Sequence, residues 1–183
     1  MAEKESVLLS PSKKRTMSPA VARFHYVCVT TFIALSIDLI TKLWAVRHLS
    51  TTRLTHLGPL TLHLVYNLGS TVHPVPATLA YLVETRLLTA AILVGMLFVL
   101  KSRLAAVGIG LMFAAGLGNF LSLAMYPHRV PDFLVIGHIG TANVADFFAA
   151  TGLIVVACAL TLFIVRTFRD IKSEKVGGAK VAA

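Results

Sequence analysis

Residues 104–125 read LAAVGIGLMFAAGLGNFLSLAM, 22 consecutive positions without a charged side chain. A helix needs about 20 apolar residues to cross the hydrocarbon core of a bilayer, so this stretch predicts a membrane helix from Leu104 to Met125. The pattern repeats on either side. Lys101-Ser102-Arg103 is a tight turn, and before it an apolar run covers Leu87 to Leu100, drawing length from residues 77–85. Further out, Phe24 to Trp44 and Ala142 to Val165 read as two more spans. The composition agrees: of 183 residues, 56% are hydrophobic and 14% charged, with a mean hydropathy of +0.79. A soluble domain carries roughly a quarter charged residues. The expected fold is an all-α membrane protein with four transmembrane helices.

The formal net charge of +9 is explained by where the cations fall. Lys4, Lys13, Lys14, Arg15 and Arg23 precede the first run. Lys101 and Arg103 separate the second from the third, and Arg166, Arg169, Lys172, Lys175 and Lys180 follow the last. Arg47, Arg53, Arg86 and Arg129 are the fewer cations of the other segments. This is a positive-inside pattern, with both termini cytoplasmic and residues 45–86 and 126–141 outside. It argues against nucleic acid as a partner, for which no basic motif interleaved with aromatics exists. Cys28 and Cys158 lie inside apolar runs and read as small buried hydrophobes, not a disulfide or metal framework. Val155-Val156-Ala157-Cys158 resembles a lipid-attachment box only by chance, since it lies within the last span. The first span starts late, carries Asp38 and Lys42, and is followed by no small-residue cleavage site, unlike a removable signal peptide.

Between the spans, Gly58-Pro59 breaks the chain, and Leu60, Leu62 and Leu64 alternate with Thr61, His63 and Val65. Residues 60–66 therefore predict a short strand, followed by a turn over Asn67-Leu68-Gly69-Ser70. Pro74 and Pro76 precede a helical stretch from Ala77. An open strand cannot sit in lipid, so this β-element is extracytoplasmic. The organisation expected is a disordered cytoplasmic tail over 1–22, one membrane domain over 23–167 and a basic cytoplasmic tail over 168–183.

From residue 6 to residue 169 the acids are Asp38, Glu84, Asp132 and Asp146. Ionisable groups at membrane depth are costly and mark a pairing or a function. Asp38 and Lys42 are four apart on the first helix and read as a mutually neutralising pair near its outer end. Glu84 reads as a solvated surface acid. Asp132 follows Pro131 in the outer loop, and Asp146 lies in the first turns of the fourth helix. Two carboxylates folded together in a partly dry site share a proton, as in aspartic peptidases. Spacing alone leaves a second reading open: a solvated loop residue, and a carboxylate near a helix N-terminus where the dipole favours its charge. Asn67, Asn119 and Asn143 are amides suited to holding a carboxylate or a backbone group. Asn143 lies three residues before Asp146, on the same helical face. His48, His56, His63, His73, His128 and His138 fall in outer segments, but none are paired at helical ligand spacing, so no metal site is expected.

Taken in order, these fragments resemble the lipoprotein signal peptidase family (signal peptidase II). Asp38-Leu39-Ile40-Thr41-Lys42 is similar to its D-x-x-T-K, Tyr66-Asn67-Leu68-Gly69 to its N-x-G turn, and Gly118-Asn119 to its G-N. Val130-Pro131-Asp132-Phe133 is similar to V-x-D-F, and Asn143-Val144-Ala145-Asp146 to N-x-A-D. The resemblance covers roughly residues 24–165. It implies an intramembrane aspartic endopeptidase that cuts the signal peptide from a diacylglyceryl-modified prolipoprotein, before the lipidated cysteine. Asp132 and Asp146 would be catalytic, with Asn67, Gly69, Asn119, Asn143, Asp38 and Lys42 supporting. It also implies a small outer β-element, an outer amphipathic helix and no cofactor. The enzyme would be a monomer in the bacterial inner membrane, with its site at the outer face, and membrane lipid would be a second partner.

The chain departs from the family in places. Gly118-Asn119-Phe120-Leu121-Ser122-Leu123 lacks the acid and arginine of G-N-x-x-D-R, and Arg129 is the nearest replacement cation. Ala142 stands where an aromatic usually precedes N-x-A-D. The turn from Asn67 to Val72 lacks the closing aromatic of N-x-G-x-x-F. A weakened paralogue that binds a lipopeptide or inhibitor without cutting is the alternative these departures raise. A small transporter or structural subunit would not bring the two carboxylates together.

Overall fold

The structure, a computed structural model, describes residues 17–67, 79–127, 129–138 and 140–181, with the side chains at 79–85 and 174–181 left aside. Its helices are α1 (Pro19–His48), α2 (Leu79–Val99), α3 (Arg103–Met125) and α4 (Val144–Val181). Among the described residues, three stretches are long and apolar enough to cross a membrane: Pro19–His48, Arg103–Met125 and Val144–Ser173. Arg86–Val99 is a shorter apolar helix. Ser18 caps α1 by accepting from the Val21 N–H, and Ser102 caps α3 by accepting from that of Ala105. These serines satisfy amides that have no partner within the helix.

Each helix is longer than its apolar run. α1 starts at Pro19, inside the stretch read as tail, because proline suits the first helical turn and Ser18 caps it. α4 continues past Val165 through the basic segment, whose Arg and Lys side chains are good helix formers. α2 runs unbroken from Leu79, so its first described residues form one helix with the second apolar run. The start of the expected outer helix at Ala77 lies outside the described residues, as do most of the N-terminal tail, Pro74, Pro76, Gly69, His73 and His128.

α3 is the central helix and packs on both α1 and α4. Its contact with α4 is set by glycine. A Cβ on Gly152 would come 2.7 Å from the Gly108 carbonyl oxygen, so only missing side chains let these backbones meet. Val27, Leu93, Leu100, Ala105, Ala106, Ile109, Val156 and Ala159 form the main core. Phe32, Ile40, Phe98, Leu153 and Ile154 point outward and are exposed, as expected where lipid is the solvent. Cys28 and Cys158 are also exposed, which corrects their reading as buried: a run that is apolar all round does not say which face meets protein.

The sheet is larger than one strand. β1 (Thr55–Leu57), β2 (Leu60–Asn67), β3 (Val130–Ile136) and β4 (Gly140–Ala142) pair antiparallel in that order. Gly58, at φ 61°, makes the β1–β2 turn, where a left-handed backbone favours glycine. Asp132 is thus on a strand, not in a loop. Val130 to Phe133 are buried without alternation, so the segment gives no period-two signal. Pro131 is tolerated because β4 pairs only with Leu134 to Ile136, leaving one side of β3 unladdered there. Leu62 and Phe133 pack on Ala45 at the end of α1, which seats the sheet on that end of the bundle.

Candidate active site

Asp132 reaches the site through the sheet. It stands opposite Val65 of β2, which sets Asn67 at the diagonal position, within side-chain reach. Asn67 Nδ2 donates to Asp132 Oδ2 at 3.2 Å, and Asn143 Nδ2 donates to Asp132 Oδ1 at 2.6 Å. Asp132 is 3% exposed. Burial pushes its carboxyl above the usual carboxylate range; the two amide donors oppose that, and the negative charge of Asp146 pushes further up.

Asp146 comes from the opening turn of α4. Asn143 sits just before the helix, not on it, as the cap residue. Asp146 Oδ2 accepts the Asn143 backbone N–H at 2.9 Å, which is half of a capping box. The usual other half is missing, because the Asn143 side chain is spent on Asp132. Its place is taken from α1: Asp38 Oδ1 accepts the Ala145 N–H at 2.9 Å. Asn143 therefore holds both acids, one by its side chain and the other by its backbone.

Behind this lies a polar chain through the bundle. Lys42 Nζ is 2.8 Å from Asp38 Oδ2 and donates to Asn119 Oδ1 at 2.7 Å. Asn119 Nδ2 in turn donates to Asp146 Oδ1 at 3.4 Å. Asp38 and Lys42 are 0% and 1% exposed, a fully buried ion pair whose remaining valences are taken up by the Ala145 amide and Asn119. Gly118 makes room for it: a Cβ there would overlap Asp38 Oδ2.

Asp132, Asp146, Asn67, Asn119 and Asn143 line one cavity of about 740 Å³ between α2, α3, the sheet and α4. Asp132 is buried in its wall, whereas Asp146 is exposed. Arg129 is exposed and is not among the residues that line the cavity. Arg86 of α2 does line the cavity, although no sequence motif had marked it. Ser122 donates to the Gly118 carbonyl at 2.7 Å, and Leu123 packs on Val130. The positions of the absent acid and arginine are thus filled by a helix-internal hydrogen bond and an apolar contact. Ala145 was legible only as a motif letter; its amide matters because, in the first turn of α4, its N–H has no partner within the helix and donates to Asp38 on α1. Among the described residues no group of three or more His, Cys, Asp or Glu could hold a metal.

Apolar helices closing over a largely apolar cavity that two carboxylates share define a helical membrane protein with a pair of acids in one site. Two solved structures of a bacterial membrane enzyme, obtained by the in meso method at 2.3 Å and 1.9 Å, share its fold. Each matches with a TM-score of 0.64 at 21% identity; the first match covers 74% of this chain and 87% of the other, the second 73% and 91%. No curated protein matches the sequence. The family model of signal peptidase (SPase) II matches residues 30–163, and the chain belongs to that family, a family of aspartic-type proteases that process lipoproteins.

Proposed function

We propose that this protein removes the signal peptide from diacylglyceryl-modified prolipoproteins, cutting before the lipidated cysteine, with Asp132 and Asp146 as its catalytic pair. The observation that carries this is the double hold of Asn143 on both acids at the wall of one cavity. Asp132, buried and pushed upward, is the member that starts protonated. Asp146, exposed to the cavity in the first turn of α4, where the helix dipole favours negative charge, serves as the base. Asp146 takes a proton from water, the hydroxide adds to the scissile carbonyl carbon, and Asp132 gives its proton to the carbonyl oxygen. Collapse of the gem-diol breaks the C–N bond as the proton held by Asp146 passes to the leaving amine. Asp132 regains its proton from the collapsing diol, so the pair ends as it began. Asn67, Asn119, Asn143, Asp38 and Lys42 position the acids, and Gly69, outside the described residues, is a supporting residue by its place in the N-x-G motif.

The same reading takes α2 as the fourth span, with the outer helical stretch as its first turns. The membrane domain covers 23–167, the flanking segments are cytoplasmic, and the site is at the outer face of the bacterial inner membrane. The enzyme acts as a monomer on a substrate whose acyl chains stay in lipid. The test is cleavage of a lipidated precursor, read by gel shift. Asp132→Asn and Asp146→Asn, each still folded, should abolish it, and full activity in both would refute the assignment. The packing of Ser122 and Leu123 favours a second reading, a paralogue that binds a lipopeptide uncut. In that case the wild type retains the precursor intact and both variants capture it equally well.

A further inference from the structure

The cavity holds one feature that hydrolysis does not use. Arg86, half-buried in its wall, has no hydrogen-bond or ion-pair partner among the described residues, where the one ion pair is Asp38–Lys42. It shares the cavity with two carboxylates and pairs with neither. Its donors are not sealed in the protein, since the buried unpartnered side-chain atoms among the described residues are Arg23 Nε and Asn143 Oδ1; they are open to acceptors on whatever enters the cavity.

The wall below it narrows the choice. Arg86, Ala90 and Leu93 are spaced at i, i+4 and i+7 and so share one face of α2; all three line the cavity. That face changes from a cation at one end to Leu93, 3% exposed, in the main core at the other. Leu117 and Phe120 of α3 line the facing wall, and both are exposed. A charged donor above an apolar slot fits a ligand with oxygen acceptors at its head and hydrocarbon below. If the substrate reading above holds, the glyceryl group is linked to the cysteine beside the scissile bond, so it must lie in this cavity within a few bonds of the acids.

We propose that Arg86 binds the ester carbonyl oxygens of the substrate's diacylglyceryl group, and that the Arg86–Leu93 face of α2 is the subsite for that group. Arg86 is then a specificity-determining residue for lipid, separate from the catalytic pair. Phospholipid head groups offer oxygen acceptors too, so the test separates the two sources.

Binding is measured on the full chain in detergent, in an Asp146→Asn background that leaves the peptide uncut. The probes are two synthetic peptides spanning the cleavage site. One carries a diacylglyceryl cysteine, and the other its dialkyl ether counterpart, which has the same chains but no carbonyls. With Arg86 present the ester should bind about tenfold tighter, as expected for a hydrogen bond to a charged group. In Arg86→Gln the two should bind alike, and Arg86→Lys should recover part of the preference. Fluorescence of Trp44 on thermal unfolding checks that each variant folds, and should Arg86→Gln fail to, Arg86→Lys carries the comparison. The same ester-to-ether ratio in wild type and variants overturns the subsite while leaving the peptidase reading intact. If neither peptide binds even with Arg86 present, the substrate reading falls, and the subsite with it. If phosphatidylglycerol abolishes the ester preference by competition, Arg86 is a phosphate site and the proposal is overturned.

Discussion

Replacing Gly118 with alanine adds one methyl group where the structure leaves no room for it. That carbon would overlap Asp38 Oδ2 and lie 3.1 Å from Asp38 Cγ. The carboxylate cannot turn aside freely, because its oxygens hold Lys42 Nζ at 2.8 Å and the Ala145 amide at 2.9 Å. Losing a buried ion pair costs about 3–5 kcal/mol. Alanine's better helix propensity returns at most about 1 kcal/mol. The net loss is then about 2–4 kcal/mol. At about 2–4 °C per kcal/mol for a chain of this size, Tm should fall by roughly 4–16 °C. Gly116→Ala is the control on the same helix, since a Cβ there meets nothing within 4 Å. The assay is thermal unfolding in detergent, followed through the single tryptophan, Trp44, which lies half a turn beyond Lys42. Cleavage should be lost together with stability, because the displaced Ala145 amide is the neighbour of Asp146. A Gly118→Ala protein that melts within about 2 °C of Gly116→Ala would refute the close approach of α3 to Asp38.

Lys42→Met should cost about 3–5 kcal/mol by stranding the Asp38 charge, and adding Asp38→Asn should recover part of it; a double-mutant cycle in denaturant reads the coupling. Gly152→Ala drives a methyl to within 2.7 Å of the Gly108 carbonyl, so it should lower stability by about 1–3 kcal/mol, whereas Gly95→Ala, in open space, should not. Asp132, with its pKa raised by burial, binds its proton more tightly folded than unfolded. Its contribution is therefore complete below about pH 4 and is lost as pH rises through the raised value, a slope in Tm against pH that Asp132→Asn should flatten. Cleavage should decline over the same rise, as the acid member loses its proton, and a rate that stays level through it counts against Asp132 as the donor.

The helices were legible because lipid imposes length and uniform apolarity on any segment that crosses it. Their ends were not, because caps and basic flanks extend a helix without extending its apolar run. Leu60 to Asn67 alternates and announced a strand, whereas Val130 to Ile136 hides one: its first residues are covered on both sides, so polarity cannot mark its period. The order of the short motifs drew attention to Asp132 and Asp146, but no spacing could state that Asn143 grips both, since that depends on β4 folding back along β3 before α4 begins. Arg129 attracted notice by nearness in sequence to the missing arginine. Arg86, far away in sequence, is the cation in the cavity, which only the docking of α2 against α3 reveals.

The bond from Asp38 to the Ala145 amide joins residues 107 positions apart, from the earliest membrane segment to be synthesised to the last. Until α4 docks, Asp38 Oδ1 has no backbone N–H to accept from, and Asp146 has no fixed bearing. Docking of α4 therefore settles two things at once: the last acceptor oxygen of the buried ion pair and the start of the helix that carries Asp146.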